Sequence, residues 1–177
     1  LIQASLFNIG LKWQKNAISI AQEHLATATA QTVMADSYLK AKFLRPKGKK
    51  ILLACIESNE HSVGPRMIAD AFEQEGWTVQ YLGANTPTRT LIEHITNWVP
   101  DMIGLSLSVS CQLGTAREAI SAIRLQLGAS CPPIIIGGQA VNRFPGVVQC
   151  IGANAIAHDA LSALQLSVVT ECRHEKV

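Results

Sequence analysis

His61 stands in the stretch Glu57-Ser58-Asn59-Glu60-His61-Ser62-Val63-Gly64, directly after a short apolar run. A neutral imidazole is a good ligand for a transition metal, and its second ring nitrogen then wants a hydrogen-bonding neighbour. Asn59, two residues earlier, is placed to be that neighbour. A loop histidine taken alone is by default solvated or locally hydrogen-bonded, so spacing by itself does not make it a ligand. Two further features follow other apolar runs. Ser106, Ser108 and Ser110 offer hydroxyls, and Gly137-Gly138 leaves the chain bare where side chains would otherwise fill space, so that a flat group could approach. Each of these alone is equally an ordinary turn with a polar loop. His94, His158 and His174 have no companions at metal-ligand spacing and read as surface or helix-cap residues. Five cysteines are far apart and form no C-x-x-C, which gives a zinc knuckle or thioredoxin-type site no support. They read as reduced, structural and cytoplasmic.

The elements that must position these groups are legible from the apolar pattern. From Lys50 onward short apolar runs alternate with amphipathic stretches. Strands are expected at Ile51–Ile56, Thr78–Leu82, Met102–Leu107, Pro133–Ile136 and Ala153–Ala157. Helices are expected at Pro65–Gln74, Thr88–Trp98 and Thr115–Leu127, with a last one capped by Asp159 and running to about Val168. Near-continuous apolar strands separated by helices indicate a parallel sheet covered on both faces. Five of them suit the flavodoxin-like, doubly wound α/β order, in which ligands sit beyond the carboxyl ends of the strands at the switch between strands one and three. His61, the serines and the paired glycines all fall at such ends.

Residues 1 to 44 have a different texture: no proline and one glycine, Gly10. A break is expected at Lys15-Asn16, and Ser19-Ile20-Ala21-Gln22 has the form of a capping box. Nothing interrupts the pattern from Ile20 to Phe43, where Ala21, Leu25, Ala28, Thr32, Ala35 and Leu39 share one face of small and apolar residues. Two helices cannot bury themselves, so the reading is part of a helical-bundle cap that continues upstream of Leu1, the chain being a piece of something longer. The expected organisation is a cap over 1–44, a polar linker over 45–50 and the sheet domain over 51–177. The chain has 177 residues, 48% of them hydrophobic and 16% charged, with a net charge of +2. That is ample core material, and too little charge for a nucleic-acid surface built on electrostatics. The uncharged stretch Leu125–Asn142 contains Pro132-Pro133 and Gly137-Gly138, which argues against a spanning helix and so against a membrane partner.

Taken together, Asn59-Glu60-His61-Ser62-Val63-Gly64, Ser106-Leu107-Ser108 and Gly137-Gly138 resemble the D-x-H-x-x-G, S-x-L and G-G segments of the cobalamin-binding domain of corrinoid proteins. Tyr81-Leu82-Gly83-Ala84-Asn85-Thr86-Pro87 is similar to that family's second-strand exit, and Gly152-Ala153-Asn154-Ala155 with Asp159-Ala160 to its last strand and helix start. The resemblance implies that His61 replaces the cofactor's dimethylbenzimidazole as lower cobalt ligand. It implies that the displaced nucleotide tail threads a slot lined by Ser106, Ser110, Gly137 and Gly138. Glu60, Ser62, Val63, Gly64, Ser108 and Ala160 complete the expected binding residues, while Glu57 and Glu60 either flank the corrin amides or face water. Two departures stand out. Asn59 replaces an acid, so the partner of His61 is neutral, and Ser108 replaces the Leu of S-x-L.

Trp13, followed by Glu23-His24, resembles the cap of cobalamin-dependent light sensors and related regulators, where such residues cover the upper axial group. An indole can pack on an adenosyl moiety while a carboxylate and an imidazole hydrogen-bond its sugar and base. In those sensors a histidine follows the Trp and can take the cobalt's upper face after photolysis. Gln14 stands there in this chain, which removes that route and leaves His24 as the substitute. The implied function is a cobalamin-binding sensory module, light-responsive through adenosylcobalamin, that regulates an attached or partner effector. The alternative is a corrinoid methyl carrier of a methyltransferase system, with methylcobalamin as its cofactor. An interaction module without cofactor is a third reading, and homo-oligomer formation stays open.

Overall fold

The computed structural model describes residues 1–144, 146 and 148–174. The chain divides into two units, Leu1–Lys42 and Phe43–Val177. In the first, α1 (Ile2–Gln14) and α2 (Ile20–Leu39) are separated by a turn in which Asn16 adopts a left-handed φ of 55°. The expected capping box is present: the Ser19 hydroxyl accepts from the Gln22 amide at 3.3 Å, and the Gln22 side chain accepts from the Ser19 amide at 2.8 Å. Helix α2 ends at Leu39, short of the expected Phe43. The physical reason is tertiary. The Leu44 amide bonds the Gln74 carbonyl and the Lys47 amide bonds that of Gly76, each at 2.8 Å, so the end of the expected cap and the expected polar linker over 45–50 are both hydrogen-bonded within the second unit.

The second unit is built on β1 (Lys50–Cys55), β2 (Thr78–Tyr81), β3 (Met102–Ser106), β4 (Ile134–Gly137) and β5 (Ala155–Ala157). They form one all-parallel sheet in the order β2-β1-β3-β4-β5, the flavodoxin-like order expected from the sequence. Parallel strands need crossovers, and these are α3 (Val63–Gln74), α4 (Thr88–Trp98) and α5 (Gln112–Leu127), with the short α6 (Gln139–Arg143) and α7 (Val148–Ile151) before β5. Helix α8 (Ala160–His174) closes the chain's described part. Helices α6 and α7 are too short to show a period in the sequence.

Alternation along each strand sorts side chains to two cores. Leu52, Ala54, Ile56, Ile103, Leu105, Ile134 and Ile136 meet Leu91 and Ile95 of α4 and Ile120 and Ile123 of α5. Ile51, Leu53, Met102 and Ile135 meet Ala69 and Phe72 of α3 and Ala163 of α8. Both faces are therefore covered, which leaves the strands' carboxyl ends as the place where polar loops can gather. Among the described residues no helix is long and apolar enough to cross a membrane.

Candidate functional site

The chain leaves β1 through a tight turn, closed by the Asn59 amide on the Ile56 carbonyl at 3.0 Å. Ser58 is left-handed here, with φ at 68°, a conformation that costs a non-glycine residue about 1–2 kcal/mol. Its backbone is held from both sides: the Ser58 amide donates to Asn85 Oδ1 at 2.7 Å, and Gln112 Nε2 donates to the Ser58 carbonyl at 2.9 Å. Asn59 follows, fully buried. Its Nδ2 donates to the Ser106 carbonyl at 2.8 Å, and its Oδ1 accepts from the His61 amide at 3.2 Å. The expected bond between Asn59 and the His61 ring is absent in this structure. A short amide side chain reaches the backbone two residues on more readily than the ring there, and the resulting Asx turn takes its oxygen.

His61 is exposed, and among the described residues its ring has no hydrogen-bond or ion-pair partner. Its backbone is fastened all the same. The Cys55 thiol lies 3.6 Å from the His61 carbonyl, and the Tyr81 hydroxyl donates to the Ser62 carbonyl at 2.5 Å. Burial pushes the Cys55 thiol up to about 11 and moves the Tyr81 phenol upward too, so both remain protonated donors at neutral pH. Val63 then opens α3, and Gly64, the next residue, has open space where a side chain would stand. Glu57 approaches the first amide of α4, with Oε2 3.4 Å from Thr88 N, while Glu60 is exposed.

The serine segment lies beside this turn across the β1–β3 pairing. Ser106 is buried, and its carbonyl takes both Asn59 Nδ2 and the Ile56 amide. The amides of Ser108 and Val109 converge on Gln112 Oε1 at 2.8 and 3.2 Å, and Ser110 is exposed, its carbonyl accepting the Leu113 amide. Gln112 and Asn85 thus belong to the cluster; in sequence Gln112 is only a polar residue near a strand end, whereas Asn85 lies in the segment similar to the family's second-strand exit. Beside the same turn Thr86, bridged to Ile56, has a buried hydroxyl without a hydrogen-bond partner among the described residues.

The paired glycines behave differently from expectation. A side chain on Gly137 would meet the Ala157 carbonyl oxygen at 2.9 Å, and one on Gly138, whose φ is 105°, would meet that of Leu107 at 2.2 Å. The space their side chains would take is filled by neighbouring backbone, so the glycines serve the close approach of chain to chain rather than leaving a gap there. Ala160 is the first residue of α8, whose start is capped by Asp159 on the Ser162 amide at 2.8 Å, with the Ser162 hydroxyl accepting from the Asp159 amide at 3.0 Å. Those bonds hold the Asp159 carboxyl below its usual range. His158 pairs with Asn142 at 2.9 Å and His94 with Gln80, which leaves both rings engaged.

In the helical unit Trp13 lies near the end of α1 and is 45% exposed. Glu23 and His24 lie in the first turns of α2. The Glu23 carboxylate accepts from the Thr27 hydroxyl at 2.8 Å and stands 3.7 Å from His24 Nε2, the His24 side chain being 71% exposed.

Among the described residues no group of three or more His, Cys, Asp or Glu could hold a metal ion. A bare ion would therefore find no cluster of three such donors around His61. A metal that brings its own equatorial ligands in a macrocycle needs only that one donor, and the free ring on a fastened turn fits it. Comparison with known proteins identifies the family. A B12 binding domain model matches residues 49–165, and a second B12 binding domain model matches residues 1–35. The chain is 28% identical over 137 residues to the HTH-type transcriptional repressor CarA of Myxococcus xanthus, covering 77% of this chain and 46% of the repressor. It is 24% identical over 162 residues to dimethylamine corrinoid protein 3 of Methanosarcina mazei, covering 88% of this chain and 93% of that protein. It thus spans about half the length of the repressor and nearly all of the corrinoid protein. The fold is similar to that of the Methanosarcina barkeri monomethylamine corrinoid protein, with a TM-score of 0.75 at 17% identity over 94% of this chain and 78% of the other. With two thirds of its length matched by the family model, sheet and flanking helices included, the chain belongs to the B12 binding domain family and is a cobalamin-binding domain.

Proposed function

We propose that the chain is the cobalamin-binding module of a light-responsive regulator, with His61 as the lower cobalt ligand and adenosylcobalamin as the bound form. The observation that carries this is the uncommitted His61 ring on a turn whose backbone is held by Asn85, Gln112, Cys55 and Tyr81. Ordering of the ligand is done before binding, which lowers the entropic cost of ligation. Ser106, Ser108 and Ser110, with the backbone around Gly137 and Gly138, are assigned to the nucleotide tail, and Glu60, Ser62, Val63, Gly64 and Ala160 to the rim of the same site. Because Asn59 is neutral and turned to the sheet, it does not strengthen the donation of His61 as a carboxylate in its place would.

When bound, adenosylcobalamin supplies a cobalt–carbon bond that green light breaks. Trp13, Glu23 and His24 are the residues assigned to the adenosyl group; the exposed faces of the indole and of the His24 ring support this. Loss of that group would leave these side chains without a partner and bias the helices toward a second arrangement that an attached or partner effector reads. The similarity to a transcriptional repressor supports a regulatory role.

A second reading, a methyl carrier serving a partner methyltransferase, is favoured by the match to nearly the whole of a dimethylamine corrinoid protein. Absorption spectra and size-exclusion profiles of the protein loaded with adenosylcobalamin, in the dark and after green light, separate the two. The regulator gives a light-driven change in oligomer size that is diminished in Trp13→Ala. An unchanged profile, with methyl transfer to a partner from the methylcobalamin form, would establish the carrier instead.

A further inference from the structure

Gln112, the first residue of α5, is 4% exposed and commits its whole amide to the backbones of two loops. Its oxygen accepts the Ser108 amide at 2.8 Å and the Val109 amide at 3.2 Å, and its nitrogen donates to the Ser58 carbonyl at 2.9 Å. Two N–H donors on one side and a carbonyl on the other permit only one orientation of the amide. Ser58 is the left-handed residue of the turn, and Asn59, next to it, fixes the His61 amide. One side chain therefore ties the exit of β3 to the turn that carries His61, beyond what strand pairing provides.

That tie bears on a competition. Cobalamin carries its own nitrogen base on a tether, at high effective concentration beside the cobalt. A protein imidazole displaces it only if it is itself held close to the productive position, and small misplacements lose orders of magnitude. We infer that Gln112 is a positioning residue for cobalt ligation: by setting the His61 turn against the 106–110 loop, it fixes the share of bound cofactor held by His61 rather than by the nucleotide base. The inference rests on His61 being the lower ligand, as proposed above.

Gln112→Glu isolates the tie. A carboxylate still accepts the Ser108 and Val109 amides but sets an oxygen against the Ser58 carbonyl, so the serine loop stays capped while the bond to the turn is lost. The measurement is electron paramagnetic resonance of the full chain loaded with cob(II)alamin, with the protein labelled by ¹⁵N-histidine. Ligation by a protein histidine then turns the nitrogen triplet on the cobalt lines into a doublet. The wild-type protein is expected to show the doublet and His61→Ala to lack it. Gln112→Glu is expected to keep its thermal transition while its doublet share falls at least about threefold in favour of the triplet or of a cobalt without nitrogen. A folded Gln112→Glu with the wild-type share overturns the inference alone. A wild-type protein without the doublet overturns the His61 assignment and the inference with it. Should Gln112→Glu not fold, Gln112→Met, which keeps the volume and removes both arms, is read in the same way; if neither folds, Gln112 serves the fold and the inference fails.

Discussion

The two units of the chain are ordered by different means. In the sheet unit Phe72, Ile103, Leu105, Ile120 and Ile134 are almost completely buried, and the loops above them are cross-tied by side chains. In the helical unit α1 has no buried residue and α2 has one, Met34, while Phe7, Leu11, Ile20, Leu25, Val33 and Leu39 are exposed. The helices there are specified by local signals: the break at Asn16 and the capping box at Ser19 and Gln22. Shape and stability thus have separate sources in this molecule. The sheet unit draws on burial, whereas the helical unit keeps its apolar side chains available.

The sharpest way to break this contrast is a pair of truncations. Phe72→Ala is expected to destabilise the sheet unit by about 3–5 kcal/mol, since Phe72 is fully buried and packs edge-on against Trp77 with ring centroids 5.3 Å apart. Leu25→Ala, on an exposed face of α2, is expected to change stability by no more than about 0.5 kcal/mol. Denaturant unfolding followed by Trp fluorescence and circular dichroism measures both, and comparable losses would sink the contrast. A second, smaller effect concerns the strand ends. Gly138→Ala is expected to cost about 2–3 kcal/mol, because φ is 105° and the new carbon would press on the Leu107 carbonyl oxygen. An open gap at that position, as read from the sequence, would instead make the substitution nearly neutral. Smallest is Ser19→Ala, which removes half of the capping box and is expected to lower α2 stability by about 1 kcal/mol, read as faster amide exchange in its first turn.

Much of the sheet unit was legible because long apolar runs between amphipathic stretches leave few alternatives: the strand order and the gathering of His61, Ser106 and Gly137 at one edge all follow from that pattern. What was not legible depended on contacts between distant segments. Asn59 offered a polar side chain at a suitable spacing, but whether it faced the ring or the sheet was decided by Ser106, far along the chain. Gln112 is indistinguishable in sequence from any polar residue opening a helix, and its importance comes from burial between two loops. The Gly137-Gly138 pair is plain in the sequence, but the reason for it lies in the backbones of Leu107 and Ala157. Helix α2 stops early for a similar reason, since the following residues are drawn to the turn after α3.

The single uncommitted imidazole has a consequence for the protein's life among other metals. Copper and zinc outcompete cobalt for most nitrogen ligands, and a pocket of several histidines or thiolates would be filled by whichever ion was abundant. With no group of three or more such donors among the described residues, a free ion finds no multidentate site to hold it. If His61 ligates cobalt as proposed, selectivity is delegated to the macrocycle: the protein recognises a vitamin, and cobalt comes with it.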